Sequence, residues 1–149
     1  MKFTKLATLA LFVLAAPAAM AQSIITVTEA KAFATAPSAM AGGGFMEITN
    51  TGTTDDMLIA VEADFPRVAI HTTEFTDGVA RMMHVDSIPI PAGETVTLTP
   101  GGLHVMFMGL RGDPFEVGEK VDATLIFEVA DAVPIVFNVV ERDTATHSN

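Results

Sequence analysis

His104 and Met106 are the residues whose types and spacing could do chemistry, and they lie in the stretch PGGLHVMFMGL from Pro100 to Leu110. Pro100, Gly101 and Gly102 punctuate the backbone and apolar residues follow, so the stretch reads as a turn and then a strand. Alternate side chains of a strand share a face, which puts His104, Met106 and Met108 on one side and Val105 and Phe107 on the other. An imidazole nitrogen beside a thioether sulfur suits Cu(I), whereas hard oxygen ligands suit calcium or magnesium. The pair alone does not establish a metal site, because methionine also fills cores and a strand histidine is often only hydrogen-bonded.

The elements that must position these residues are short and β-rich. Ser23 to Lys31 (SIITVTEAK) alternates and reads as a first strand; residues 32–41, with a proline and several small residues, read as an irregular crossing loop. Gly42, Gly43 and Gly44 lead into FMEITN, where Met46, Ile48 and Asn50 share one face and Phe45, Glu47 and Thr49 the other. Strands are expected over Met57 to Ala63, Arg67 to Glu74, Val79 to Val85 and Thr95 to Thr99, and over Val121 to Val129 and Ile135 to Glu141 as a hairpin. Ser87 to Gly93 holds two prolines and reads as an edge segment or a loop. About eight or nine strands with turns between them, and no amphipathic helix, predict an all-β fold: an antiparallel Greek-key sandwich or barrel. Its core is expected from Ile48, Leu58, Val68, Leu98, Phe107, Leu125, Phe127, Phe137 and Val139.

Composition bounds the task. The chain has 149 residues, which is one domain's worth. Residues 1–21 read as a secretory signal peptide: Lys2 and Lys5, an apolar run from Leu6 to Leu14, and Ala19-Met20-Ala21 before the cleavage point. Residues 22–141 form the domain and 142–149 a polar tail. Without Lys2 and Lys5, six basic residues face eighteen acidic ones, a formal charge of −12. Nucleic acid and anionic membrane surfaces repel such a chain, and no later segment reaches membrane-spanning length. The absence of cysteine excludes thiol redox chemistry, cysteine nucleophiles, zinc-thiolate sites and blue-copper electron transfer. No GxSxG, GxGxxG or HExxH is present, so nothing marks an enzyme. Asp55, Asp56 and Asp113 read as solvated turn residues.

Beyond the first 21 residues there are four histidines, His71, His84, His104 and His147. His71 precedes Met82 by ten intervening residues, and 21 more separate Met82 from His104. The result is H-x10-M-x21-H-x-M. Taken singly, Met82 reads as core sooner than as a ligand, since Met83 adjoins it and one of the two should face inward, and His71 likewise reads sooner as a hydrogen-bonded strand residue.

The joint spacing resembles the signature of the periplasmic copper chaperone family written PCu(A)C. Further stretches are similar: GGGFMEITNTG, the Asp77-Gly78-Val79 turn with Met82, IPIPAG from Ile88 to Gly93, PGGLHVMFMGL and FEVGEKVDATLIFE. Two places depart from the pattern, since Thr73 and Ala80 stand where relatives often carry methionine, and of a histidine- and methionine-rich tail only His147 is present. The resemblance implies a cupredoxin-like β-barrel and one Cu(I) per chain, with His71, Met82, His104 and Met106 as ligands near the surface at one end. It further implies a periplasmic carrier, not a catalyst, that delivers copper by ligand exchange to the CuA centre of cytochrome c oxidase or to an assembly factor. Copper storage or resistance through the same site is the alternative, and a metal-free β-sandwich binding module a third. His84 shares a strand face with Met82, and Met108 with Met106, so either could support the site or take part in transfer; Met40, Met46, Met57 and Met83 read as packing.

Overall fold

The computed structural model describes residues 22–142; the segment read as a signal peptide, and the tail with His147, lie outside the described residues. Ten strands and no helix occur among the described residues: β1 (Ile25–Phe33), β2 (Ala41–Asn50), β3 (Asp56–Ala63), β4 (Arg67–Thr76), β5 (Val79–His84), β6 (Ile88–Ile90), β7 (Thr95–Leu98), β8 (Leu103–Met108), β9 (Lys120–Phe127) and β10 (Val133–Val140). No helix among them is long and apolar enough to cross a membrane.

The fold is all-β, as expected, with β6 as a tenth strand. Pro89 is tolerated because β6 ends the sheet and pairs with β3 alone, while Ile88 and Ile90 on either side of it are buried. Strand order is β5-β4-β8-β2-β1-β10-β9-β3-β6, with β7 following β8 along the same side of β2. All pairings are antiparallel but one: β1 and β10, from opposite ends of the domain, run parallel. Ile70 on β4 and Ile90 on β6 belong to one hydrophobic cluster, so the sheet curls until strands far apart in its order share a core.

Alternation decides what fills that core. Ile48, Leu58, Leu98, Phe107, Leu125, Phe127, Phe137 and Val139 are buried; Val68 is only half-buried and packs against the same cluster. The glycines expected to precede β2 are instead inside it. Aromatic rings occupy the space that side chains would take: a Cβ on Gly42 would stand 2.5 Å from the Phe115 ring, and one on Gly44 would stand 2.9 Å from both Phe107 and Phe137. The crossing segment is also shorter than expected, since β1 continues through buried Ala32 to Phe33.

Three further expectations are corrected by packing. Asp56 is a buried residue opening β3, where its carboxylate accepts hydrogen bonds from Ser23 Oγ (2.6 Å) and from the backbone N–H groups of Met57, Val129 and Ala130. Met82 and Met83 are both exposed, because β5 pairs only with β4 and no second layer covers either face. Met40 is likewise exposed, whereas Met46 is fully buried in the core.

Candidate metal centre

β4 lies between β5 and β8, and its register with both sets the site. His71 stands directly opposite His84 on β5 and directly opposite His104 on β8. Directly opposed residues of antiparallel strands project to the same face, so the three imidazoles form one row across three strands. Ring centroids are 5.8 Å apart for His71 and His84 and 6.1 Å apart for His71 and His104, with both pairs close to perpendicular. This face is the reverse of the core side of β8, where Val105 and Phe107 are fully buried.

Along the row, burial increases. The His84 side chain is 52% exposed and its Nε2 lies 3.2 Å from Asp86 Oδ1. His71 is partly buried, and His104 retains 5% exposure. Phe45, on the adjoining β2, lies 6.2 Å from the His104 ring and itself stacks obliquely on Phe33 at 5.3 Å.

The hydrogen bonds of His104 fix its chemistry. Its Nδ1 lies 2.9 Å from the Gly102 carbonyl oxygen. A carbonyl can only accept, so the neutral ring carries its proton on Nδ1 and a bare lone pair on Nε2. That Nε2 is buried and has no hydrogen-bond partner. An unsatisfied buried polar atom costs about 1–3 kcal/mol, which makes it a feature to be explained by what fills the place. An imidazole held through one nitrogen by a carbonyl, with the other left open, is the arrangement of a metal-ligating histidine.

His71 and Met106 supply the donors beside it. Their Nδ1 and Sδ atoms are 3.0 Å apart. Burial, followed by the positive charges that His104, His84 and Arg67 would present, holds the His71 pKa below the usual 6.5, so its ring stays neutral and able to donate a lone pair.

Met82 shares the face but stands apart from this group. It pairs with Thr73, whereas Met106 pairs with Ala69, so the two thioethers flank the histidine row from opposite sides. Four residues along β4 separate those positions, about 13 Å of strand. His71 has Met82 as a diagonal neighbour; Met106 does not. Met108, opposite Arg67, lies one step farther from the row than Met106. Among the described residues no group of three histidine, cysteine, aspartate or glutamate side chains is close enough to hold a metal ion, so a centre here depends on thioether sulfur. Phe45 and the placing of His84 in the row go beyond what sequence reasoning assigned, although strand alternation puts Phe45 on the face away from the core and His84 on that of Met82.

Comparison with known proteins agrees with this architecture. Residues 25–139 match the family model described as "Putative lipoprotein LpqE-like". A curated relative from Leifsonia xyli, "Putative lipoprotein Lxx21020", is 32% identical over 115 residues, covering 76% of this chain and 69% of its own. Among solved structures, the copper-bound PCuAC domain from PmoF2 is similar with a TM-score of 0.65 and 28% identity, over 79% of this chain and 93% of that one. The Cu(I) form of DR1885 from Deinococcus radiodurans is similar with a TM-score of 0.61 and 30% identity, over 84% and 85%. Its apo form matches over 95% of this chain and 98% of its own, with a TM-score of 0.60 and 28% identity. Shared strand architecture over nearly the whole described domain, with a matched family model across the same residues, places the molecule: it has the cupredoxin-like fold of PCuAC domains and belongs to the LpqE-like family.

Proposed function

We propose that this chain is an exported carrier of Cu(I), one ion per molecule, held by His71, Met82, His104 and Met106. The observation that carries the reading is the unpartnered, buried Nε2 of His104, in the same row as the His71 nitrogen that meets Met106 sulfur. With nitrogen and sulfur ligand distances of about 2.0 and 2.3 Å, a tetrahedral ion would hold the two donors about 3.5 Å apart. The observed 3.0 Å therefore needs to open by only about half an ångström. Similarity to the copper-bound PmoF2 domain and to the Cu(I) form of DR1885 supports the same ion.

All four donors are neutral, and neutral imidazole and thioether are soft enough for a monovalent copper ion without the thiolates that oxidise readily outside the cytoplasm. Met82 joins the others when the β4–β5 arm bends toward β8. That arm runs on past β8: register between β4 and β8 ends at Thr72 and Leu103, and one further backbone bond, from the Thr73 N–H to the Gly102 carbonyl at 3.2 Å, is the last tie between them. The chain works as a periplasmic metallochaperone and not as an enzyme: it passes the ion by ligand exchange to a copper-accepting protein, such as the CuA subunit of cytochrome c oxidase or an assembly factor. A row that opens to solvent at one end favours delivery over storage.

The test is anaerobic Cu(I) titration in competition with bicinchoninate, comparing the chain with a His104→Ala, Met106→Ala double variant. The wild type is expected to take up one equivalent and the double variant to lose at least about a hundredfold in affinity. Equal affinity in the two, or no uptake by the wild type, removes the assignment.

A further inference from the structure

Resting on the Cu(I)-carrier reading, we propose that His84 is the exchange ligand of the site, the imidazole onto which the ion steps from the inner donors when it leaves for an acceptor. The row itself is the first support. His71 has two neighbours placed alike, His104 at 6.1 Å on the inner side and His84 at 5.8 Å on the outer, each ring nearly perpendicular to its own. An ion bound by two imidazoles at about 2.0 Å holds their ring centroids about 5.1 Å apart at a tetrahedral angle and about 6.3 Å apart when linear, so either neighbour can share an ion with His71 once the pair closes by at most about 1 Å. His84, His71 and His104 do not converge on one point: the outer two strands lie two spacings apart, about 9.5 Å, and among the described residues no three such side chains group closely enough to hold an ion together. In this arrangement the ion takes them in turn.

Access is the second support. An incoming donor from another protein cannot approach His104, which is 5% exposed and backed by Phe45. It can approach His84, which is half-exposed on a strand whose every residue is exposed. The third support is the tautomer. His84 Nε2 lies 3.2 Å from Asp86 Oδ1, an electrostatic contact that favours the ring proton on Nε2 and the lone pair on Nδ1, as the hydrogen bond to the Gly102 carbonyl favours a lone pair on Nε2 of His104. As a surface ion pair alone, His84 and Asp86 would contribute little.

The step balances without a co-reactant. The bond from copper to His104 breaks as the bond to His84 forms, with His71 bound throughout. Both rings are neutral before and after, copper remains Cu(I), and no proton or electron is transferred. Met82, two residues before His84 on the same face of β5, is the resident ligand that lies on the outer side of the row.

The experiment is stopped-flow transfer of Cu(I) from the loaded, full-length mature chain to excess bicinchoninate, together with equilibrium competition. It compares wild type with His84→Leu and His84→Met, with folding checked by far-UV circular dichroism. His84→Leu, which keeps bulk but no donor, is expected to slow transfer about tenfold while shifting equilibrium affinity less than about threefold, and His84→Met to recover most of the rate. Transfer from His84→Leu at the wild-type rate overturns the proposal, and so does equal slowing in His84→Met. A loss of affinity matching the loss of rate would make His84 a resident ligand and also overturns it. Failure of the wild type to take up Cu(I) is a different result, and it removes the carrier reading itself.

Discussion

His71 and His104 occupy directly opposed positions on β4 and β8, their rings edge to face with centroids 6.1 Å apart. The relationship exists only in this register. A slip of one residue between the two strands would send one imidazole to the core face, where Val105 and Ile70 now pair. The histidine row is therefore as well defined as the hydrophobic packing that pins β4 and β8.

The unpartnered Nε2 of His104 predicts a conflict between stability and function. In His104→Leu the buried lone pair disappears, and the Gly102 carbonyl still accepts from the Thr73 N–H at 3.2 Å. The metal-free variant should be as stable as the wild type or more so, by up to about 1 kcal/mol, while copper binding is lost. Urea denaturation of both apo proteins measures this, and a loss of more than about 2 kcal/mol would mean that the imidazole is structural.

The two thioethers should not be equal. Met106 already touches His71, whereas Met82 is 60% exposed on an arm that must bend to reach the ion. Met106→Ala is expected to weaken Cu(I) binding by about a hundredfold and Met82→Ala by about tenfold. Parallel competition titrations decide the order, and a larger loss for Met82→Ala would place the ion on the β5 side of the histidine row.

The depressed pKa of His71 gives the apo protein a pH dependence of known sign. The folded chain binds this proton less readily than the unfolded one, whose histidine titrates near 6.5, so the unfolded state carries more protons between the two values. Stability is full above 6.5 and declines as pH falls from there toward the lower, folded pKa. In His71→Gln that part of the decline should vanish from a series of thermal melts between pH 7 and 5, values spanning the range in which histidine commonly titrates. Copper uptake should fall over the same acid range, since protonated imidazole cannot coordinate.

Asp56 acts at lower pH. Burial alone would raise its pKa, but hydrogen bonds from Ser23 and from the Val129, Ala130 and Met57 N–H groups outweigh that and hold it below 3.8. Its contribution is complete above 3.8 and is lost as pH falls through the folded pKa. Ser23→Ala should cost about 1–3 kcal/mol at neutral pH, because the charged carboxylate loses a short, buried hydrogen bond, and should move the acid unfolding midpoint upward. Denaturation across an acid series tests both, and an unchanged midpoint would show that the backbone donors suffice.

The sequence by itself determined the all-β class, the alternation that turns Val105 and Phe107 inward and His104 and Met106 to the other face, and a donor set without cysteine. These are local properties, because a strand's two-residue period can be read from neighbouring side chains. Tertiary structure alone decided which residues meet across strands: that His84 completes a row with His71 and His104, that Met82 and Met106 lie on opposite sides of it, and that both Met82 and Met83 face solvent on β5. It also decided that β1 and β10 run parallel, that the glycines of β2 lie under aromatic rings, and that Asp56 is buried. The reason is physical: register and sheet edges are set by long-range pairing and by the shape of a shared core, and neither is recorded in the residues next along the chain.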